Sequence, residues 1–173
     1  MRARVTPSKP AGAVLAVDPG SRKTGLAVVS IAIRPRLLSW ELVRMAKAQP
    51  SAQVLELHAA HRITSAAVED QYLAKNANTI KKLSQAAGRW FEACAAAGIP
   101  VQYIAPSSWQ DKTLRGAGRH RHQLKAGSIA VAQAETGLEL PEDVADAYCL
   151  ARYLAIKIFL NTRHGVAIGR ALG

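Results

Sequence analysis

A carboxylate at the end of an apolar run constrains this chain most. Residues 13–30 read AVLAVDPGSRKTGLAVVS. Two runs rich in Val and Ala flank a Pro-Gly break, and this pattern predicts a tight β-hairpin. Asp18 stands among core residues, where a carboxylate is costly unless it is paired, hydrogen-bonded or bound to a cation. The hairpin alone leaves two interpretations open, an Asp that caps its own turn or an Asp that serves a charged ligand.

The size and charge of the chain limit its class. Its 173 residues fit one domain with a sizeable core, and its net charge is +11. This positive excess predicts an attraction to polyanions, of which nucleic acid is the commonest. Cys94 and Cys149 stand far apart in helix-like surroundings, so we expect buried free thiols and a cytoplasmic protein. Because no apolar run is long enough to span a bilayer, we expect no membrane partner.

The chain divides into three parts. Residues 1–12 are basic and lack the hydrophobic segment of a signal peptide, so we expect a flexible basic arm. Residues 13–160 form the predicted globular domain. Residues 161–173 are polar and contain glycine, which predicts a loose C-terminal tail.

Hydrophobic periodicity predicts the remaining elements. Strands are predicted at 36–44, 66–68 and 101–105, and helices at 51–61, 76–98, 127–137 and 143–160. Ser51 is the predicted N-cap of its helix. The helix at 76–98 is the most regular, with one apolar side and one cationic side. Its apolar stripe fits either the core or a contact with a second subunit.

The segment 106–125, PSSWQDKTLRGAGRHRHQLK, is the least globular part of the chain. We expect a mobile or tightly turned loop at Gly116 and Gly118. Its cations, glycines and Trp109 suit contact with phosphates, although a solvated basic loop would have a similar composition. The segment carries these basic or titratable residues: Lys112, Arg115, Arg119, His120, Arg121, His122 and Lys125.

Acidic residues recur at the ends of apolar elements. Asp18 and Glu69 end predicted strands, while Asp143 and Asp146 lie three apart near the start of the last helix and so share one face. Clustered acids repel one another unless a divalent cation neutralises them. Oxygen ligands without His or Cys select Mg²⁺ or Mn²⁺. Two such ions can activate water and stabilise the leaving oxygen in phosphodiester hydrolysis.

Three motifs in this order resemble one known family. They are DPGSRKTG at 18–25, AAVEDQYLAKN at 66–76 and DVADA at 143–147. Together they resemble the RuvC family of Holliday-junction resolvases, within the ribonuclease H-like superfamily. The first motif is also similar to a phosphate loop of actin-like ATPases, but the chain is too short for the two lobes of such a protein.

The resemblance implies a fold, a reaction and partners. The implied fold is α/β, a ribonuclease H-like five-stranded mixed sheet flanked by helices in a single domain. A homodimer formed through the helix at 76–98 would bind a four-way DNA junction and nick two symmetric strands, in possible cooperation with a branch-migration motor. The implied metal-binding and catalytic residues are Asp18, Glu69, Asp143 and Asp146, with Mg²⁺ as cofactor and Mn²⁺ as its substitute.

The resemblance also implies DNA contacts, with some departures. Tyr72 stands where the family often has an aromatic that wedges against bases. Gln110 and His122 stand roughly where the family often has lysines, with Lys112 two positions after Gln110. The predicted DNA-binding residues are Tyr72, Lys75, Lys112, Arg115, Arg119, Arg121, His122 and Lys125. Two alternatives remain open, a non-catalytic module that binds branched nucleic acid and a nuclease of flaps and forks.

Overall fold

The predicted hairpin lies at the centre of a mixed sheet. The computed structural model describes residues 12–70 and 77–171. Its strands are β1 (Ala13–Pro19), β2 (Lys23–Ser30), β3 (Leu37–Arg44), β4 (Ile63–Glu69) and β5 (Val101–Ile104). They form a five-stranded sheet in the order β3-β2-β1-β4-β5. β1 pairs antiparallel with β2 and parallel with β4. The predicted five-stranded mixed sheet is therefore confirmed.

Helices cover both faces of this sheet. They are α1 (Pro50–His61), α2 (Ala77–Ala96), α3 (Pro106–Thr113), α4 (Arg121–Thr136) and α5 (Glu142–Ala171). Val14 and Ala16 of β1 pack in one buried cluster with residues of α3, α4 and α5. Leu15 and Val17 point to the other face, in a cluster with residues of α1 and α2. Burial on both faces explains why β1 is a continuous apolar run rather than an alternating one.

The first helix begins one residue earlier than predicted. Its N-cap is Gln49, whose side chain makes no capping hydrogen bond, and Pro50 occupies the first turn. The prediction of Ser51 as N-cap is therefore wrong. Proline suits this position because its fixed φ is helical and its missing N–H would have had no partner there.

The segment 106–125 is mostly helical, so the prediction that it is the least globular part of the chain is wrong over most of its length. Pro106 opens α3, in which Trp109 is fully buried. His120 and Gln123 form a capping box that starts α4 at Arg121 rather than at residue 127. Only residues 114–120 lie between the two helices, and there Gly116 and Gly118 have φ angles of 83° and 93°. The predicted glycine turn is confirmed in this short linker.

The closing helix is also longer than predicted. α5 runs to Ala171, so residues 161–171 continue the helix beyond the boundary placed at residue 160. The polar residues after residue 160 suggested that the helix ends there. Residues 161–171 contain no proline, however, so nothing in them interrupts the helical backbone hydrogen bonds. The predicted basic arm lies outside the described residues except for Gly12.

Two simpler predictions can be compared directly with the structure. Cys94 and Cys149 are both free and buried, as expected. None of the helices within residues 12–70 and 77–171 combines the length and apolar character that crossing a bilayer requires.

Candidate metal centre and nucleic-acid interface

Asp18 and Glu69 lie side by side at one edge of the sheet. β1 and β4 run parallel, and Val17 is the register partner of Val68. The residues that follow, Asp18 and Glu69, therefore emerge at the same carboxyl edge. Their side chains are linked by a hydrogen bond. This contact is one of the causes that raise the pKa of Asp18.

Gly25 allows the last helix to reach this pair. It is the register partner of Asp18 on β2. A Cβ atom at Gly25 would overlap the backbone carbonyl of Asp143 and crowd the amide of Val144. The start of α5 thus rests directly on the backbone of β2, which places Asp143 beside Asp18.

The resulting cluster changes the acidity of Asp18. Burial of the carboxyl raises its pKa well above the ordinary value of 3.8, and the neighbouring charges of Glu69, Asp146 and Asp143 raise that pKa further. Each of the four side chains is only partly buried. The cluster is therefore crowded with negative charge yet reachable from solvent.

α4 supplies the groups around Asp146. Burial raises the pKa of Asp146, while a hydrogen bond from Ser128 and the nearby cations Lys125 and Arg121 oppose that rise. Ser128 is fully buried. α4 is itself fixed to α5, because Glu135 accepts hydrogen bonds from Tyr148 at 2.9 Å and from Arg152 at 2.7 Å.

α3 supplies a donor to Glu69. The indole Nε1 of Trp109 donates a hydrogen bond to Glu69 Oε1 at 3.0 Å. The indole is completely inaccessible to solvent. Trp109 therefore cannot stack on a DNA base, and its predicted part in phosphate contact is wrong.

The donor set fits a hard divalent cation. It consists of carboxylate oxygens from three separate elements, which is the ligand chemistry of Mg²⁺ and Mn²⁺. No set of three His, Cys, Asp or Glu side chains within the described ranges is already arranged to hold an ion.

Comparison with known proteins assigns the family. The family model for crossover junction endodeoxyribonuclease RuvC matches residues 14–153. The chain belongs to the RuvC family. RuvC of Halorhodospira halophila is 32% identical over 146 residues, covering 80% of this chain and 86% of that protein. RuvC of Nitratidesulfovibrio vulgaris is 33% identical over 147 residues, covering 79% of this chain and 88% of that protein.

Solved RuvC structures share the architecture. The structure of T. thermophilus RuvC in complex with a Holliday junction substrate matches this chain with a TM-score of 0.70 and 27% identity. The match covers 87% of this chain and 97% of that one. A yeast mitochondrial Holliday junction resolvase, at 16% identity and a TM-score of 0.52, shares the fold. The predicted ribonuclease H-like class is thereby confirmed.

The predicted DNA contacts of this RuvC-family chain that lie within the described residues fall into three groups. Arg121 and Lys125 lie on the first turns of α4, close enough to act on the charge of Asp146. Arg115, Arg119 and His122 are exposed around the linker before α4. Lys112 instead lines a cavity of about 320 Å³ between α3 and α5, together with Tyr153 and Lys157. The two remaining candidates, Tyr72 and Lys75, lie outside the described residues.

Sequence reasoning missed the contacts that three residues make around the RuvC-type acids. Gly25 carried a usable signal, since a glycine inside an apolar strand marks a bulge or a close backbone approach. Trp109 and Ser128 carried none. Their hydrogen bonds join residues that are distant in the chain, and only the folded backbone brings those residues together.

Proposed function

We propose that this chain is a divalent-metal-dependent endonuclease that resolves four-way DNA junctions by paired, symmetric nicks. One observation carries the proposal: Asp18 lies within electrostatic range of Glu69, Asp143 and Asp146, in a chain whose net charge is +11. A protein attracted to polyanions has no structural use for a partly buried cluster of acids. A role in holding the cations that cleave a phosphodiester explains why the protein has this cluster.

Asp18, Glu69, Asp143 and Asp146 would hold the cofactor, Mg²⁺ with Mn²⁺ as its substitute. When bound, the metal supplies an activated water and stabilises the leaving oxygen. The chain itself holds Glu69 in place through Trp109, and Ser128 lies beside Asp146. Lys125 and Arg121 flank Asp146 with positive charge, which suits them to receive the phosphate of the strand being cut.

The remaining basic residues would hold the DNA on either side. Arg115, Arg119 and His122 are exposed in the linker before α4 and in the first turn of that helix. Lys112 sits further along, on the far turn of α3. By resemblance, Tyr72 would wedge against bases at the crossover, and Lys75 would contact a phosphate beside it.

Paired nicks require two copies of the active site, and α2 is the proposed dimer contact. Trp90, Ala87 and Cys94 are buried against the sheet, so this part of the apolar stripe belongs to the core. Ile80 remains 40% exposed on α2 and is available to a second subunit. We also propose that the protein works with a branch-migration motor and that it is located in the cytoplasm.

The decisive experiment compares a mobile four-way junction with linear duplex of the same sequence, with Mg²⁺ and with EDTA. We expect symmetric paired nicks in the junction only, and only with Mg²⁺. Binding of the junction without any cleavage would favour the non-catalytic module. Cleavage of flaps and forks in preference to the junction would favour the other alternative.

The matched variant is Asp146→Asn, which keeps the shape of the side chain and removes its charge. We expect cleavage to be lost while junction binding, measured by gel shift, is retained. Loss of binding together with cleavage would contradict a purely catalytic role for Asp146.

A further inference from the structure

Trp109 occupies an unusual place for a buried tryptophan. It lies on α3, inside the cluster formed with α4, α5 and the sheet, and none of its surface is exposed. Its single polar atom, Nε1, donates to Glu69 Oε1 at 3.0 Å. The hydrogen bond therefore links the hydrophobic core directly to one of the proposed metal-binding carboxylates.

Trp90 offers an internal comparison. It is equally buried, but it belongs to the cluster on the opposite face of the sheet. Its Nε1 has no hydrogen-bond partner among the residues that the structure describes. Burial of an indole in this protein thus does not depend on pairing its N–H. The contact between Trp109 and Glu69 is a feature of the acid cluster rather than a general requirement of the core.

A neutral donor on one carboxylate oxygen has a definite physical effect. It fixes the rotamer of the carboxylate and favours its charged form, and it leaves lone pairs free for a cation. Groups that orient metal ligands in this way commonly change metal affinity or activity by about 10–100-fold when they are removed. The rigid packing of Trp109 makes its N–H a fixed reference point for Glu69.

We propose that Trp109 is a positioning residue, which holds Glu69 in the orientation needed to share a divalent cation with Asp18. This inference rests on the proposed metal-dependent function. It assigns to α3 a role in metal binding and separates Trp109 from the DNA-contacting residues that follow it in the chain.

The first test measures Mg²⁺ binding to the DNA-free protein by calorimetry. We expect Trp109→Phe, which keeps an aromatic ring and removes the N–H, to weaken Mg²⁺ affinity by about 10–100-fold. Trp90→Phe is the matched control, since it makes the same change at an equally buried site. We expect it to leave the affinity within about twofold while lowering thermal stability to a similar degree.

Cleavage gives a second readout that a merely structural role would not produce. We expect Trp109→Phe to cleave the junction slowly at low Mg²⁺ and to recover most of the wild-type rate at high Mg²⁺. Trp90→Phe should show the wild-type dependence on Mg²⁺. A slow rate of Trp109→Phe that no concentration of Mg²⁺ restores would overturn the proposal.

A third measurement needs no variant to be folded. The chain has three tryptophans, so the wild-type protein gives three indole N–H signals in a ¹H–¹⁵N NMR spectrum. The N–H signal of Trp109 should move during Mg²⁺ titration with the same dissociation constant that calorimetry gives, while that of Trp90 stays in place. A Trp109 signal that saturating Mg²⁺ leaves unchanged would overturn the proposal even if Trp109→Phe does not fold.

The outcomes also separate this inference from the proposed function. Suppose that the wild-type protein binds Mg²⁺ and cleaves the junction, and that Trp109→Phe does both equally well. This result would refute the role of Trp109 and leave the proposed function intact. Wild-type protein that neither binds Mg²⁺ nor cleaves refutes the proposed function first.

Discussion

At the scale of single residues, the protein tolerates an unfavourable carboxylate at Asp18. Burial and three neighbouring carboxylates raise the pKa of Asp18, with burial as the larger cause. A carboxyl whose pKa is raised on folding binds protons more tightly in the folded state. Its ionisation therefore lowers the free energy of unfolding as the pH rises above the ordinary value of 3.8.

The prediction at this scale concerns Asp18→Asn in EDTA. Removing the charge should raise thermal stability at pH 7 by about 1 kcal/mol in unfolding free energy. The gain over wild type should shrink as the pH falls toward 4, because wild-type Asp18 then becomes protonated. Differential scanning fluorimetry across this pH range measures both effects.

The control for this prediction is Asp111→Asn, an exposed acid on α3. It should change the melting temperature little at any pH, since surface substitutions usually lie within about 0.5 kcal/mol. A clear fall in the melting temperature of Asp18→Asn at pH 7 would make Asp18 a structural acid and argue against a site prepared for cations.

At the scale of elements, the site depends on how closely α5 approaches β2. The start of α5 lies against Gly25, where any side chain would meet the carbonyl of Asp143. α4 then rests on α5 through Glu135 and brings Ser128 to Asp146. Displacing α5 should therefore disturb two of the four acids and their support at once.

The prediction for this contact is Gly25→Ala. The added methyl group should push α5 outward, cost about 1–3 kcal/mol of stability and sharply reduce cleavage. Gly88→Ala on α2 is the control for stability, because within the described part of the chain no atom beyond the local helix backbone lies within 4 Å of its Cβ position. Since alanine favours a helix over glycine, Gly88→Ala should raise stability by about 0.5–1 kcal/mol. Equal melting temperatures for Gly25→Ala and wild type would contradict the close packing.

Much of this arrangement followed from the sequence, for identifiable reasons. The hairpin was readable because Pro19 and Gly20 interrupt two long apolar runs. The strand that ends at Glu69 could be predicted from its short apolar run. The helix α3 could not, because its polar residues conceal the one side chain, Trp109, that fixes it to the core. The local hydrophobic pattern of a sequence predicts an element that buries a whole face. It does not predict an element, such as α3, that a single buried residue attaches to the core.

At the scale of the whole molecule, a cluster of acids lies within a strongly basic chain. Asp18, Glu69, Asp143 and Asp146 lie together near the carboxyl edge of β1 and β4, while the chain as a whole carries a net charge of +11. Binding of DNA by such a surface releases counterions, so affinity should fall steeply with salt, with a slope of about −0.9 per phosphate contacted. The exposed cations between α3 and α4 are the expected contributors.

The prediction for this surface is Arg119→Gln. It should weaken junction binding and reduce the slope of log K against log salt by about 1. Arg34→Gln is the control, because Arg34 is equally exposed but lies in the β2–β3 connection, at the opposite edge of the sheet. Fluorescence anisotropy with a labelled junction measures both slopes. An equal effect of the two substitutions would indicate non-specific attraction rather than a DNA path along α4.

The central claim is that three distant stretches of the chain bring their carboxylates to shared cations. A crystal structure of the protein soaked with Mn²⁺, read at the manganese absorption edge, tests it most directly. We predict anomalous density between Asp18, Glu69 and the pair Asp143 and Asp146, at Mn²⁺ concentrations that support cleavage. Manganese bound only elsewhere, with this cluster empty under the same conditions, would contradict the account.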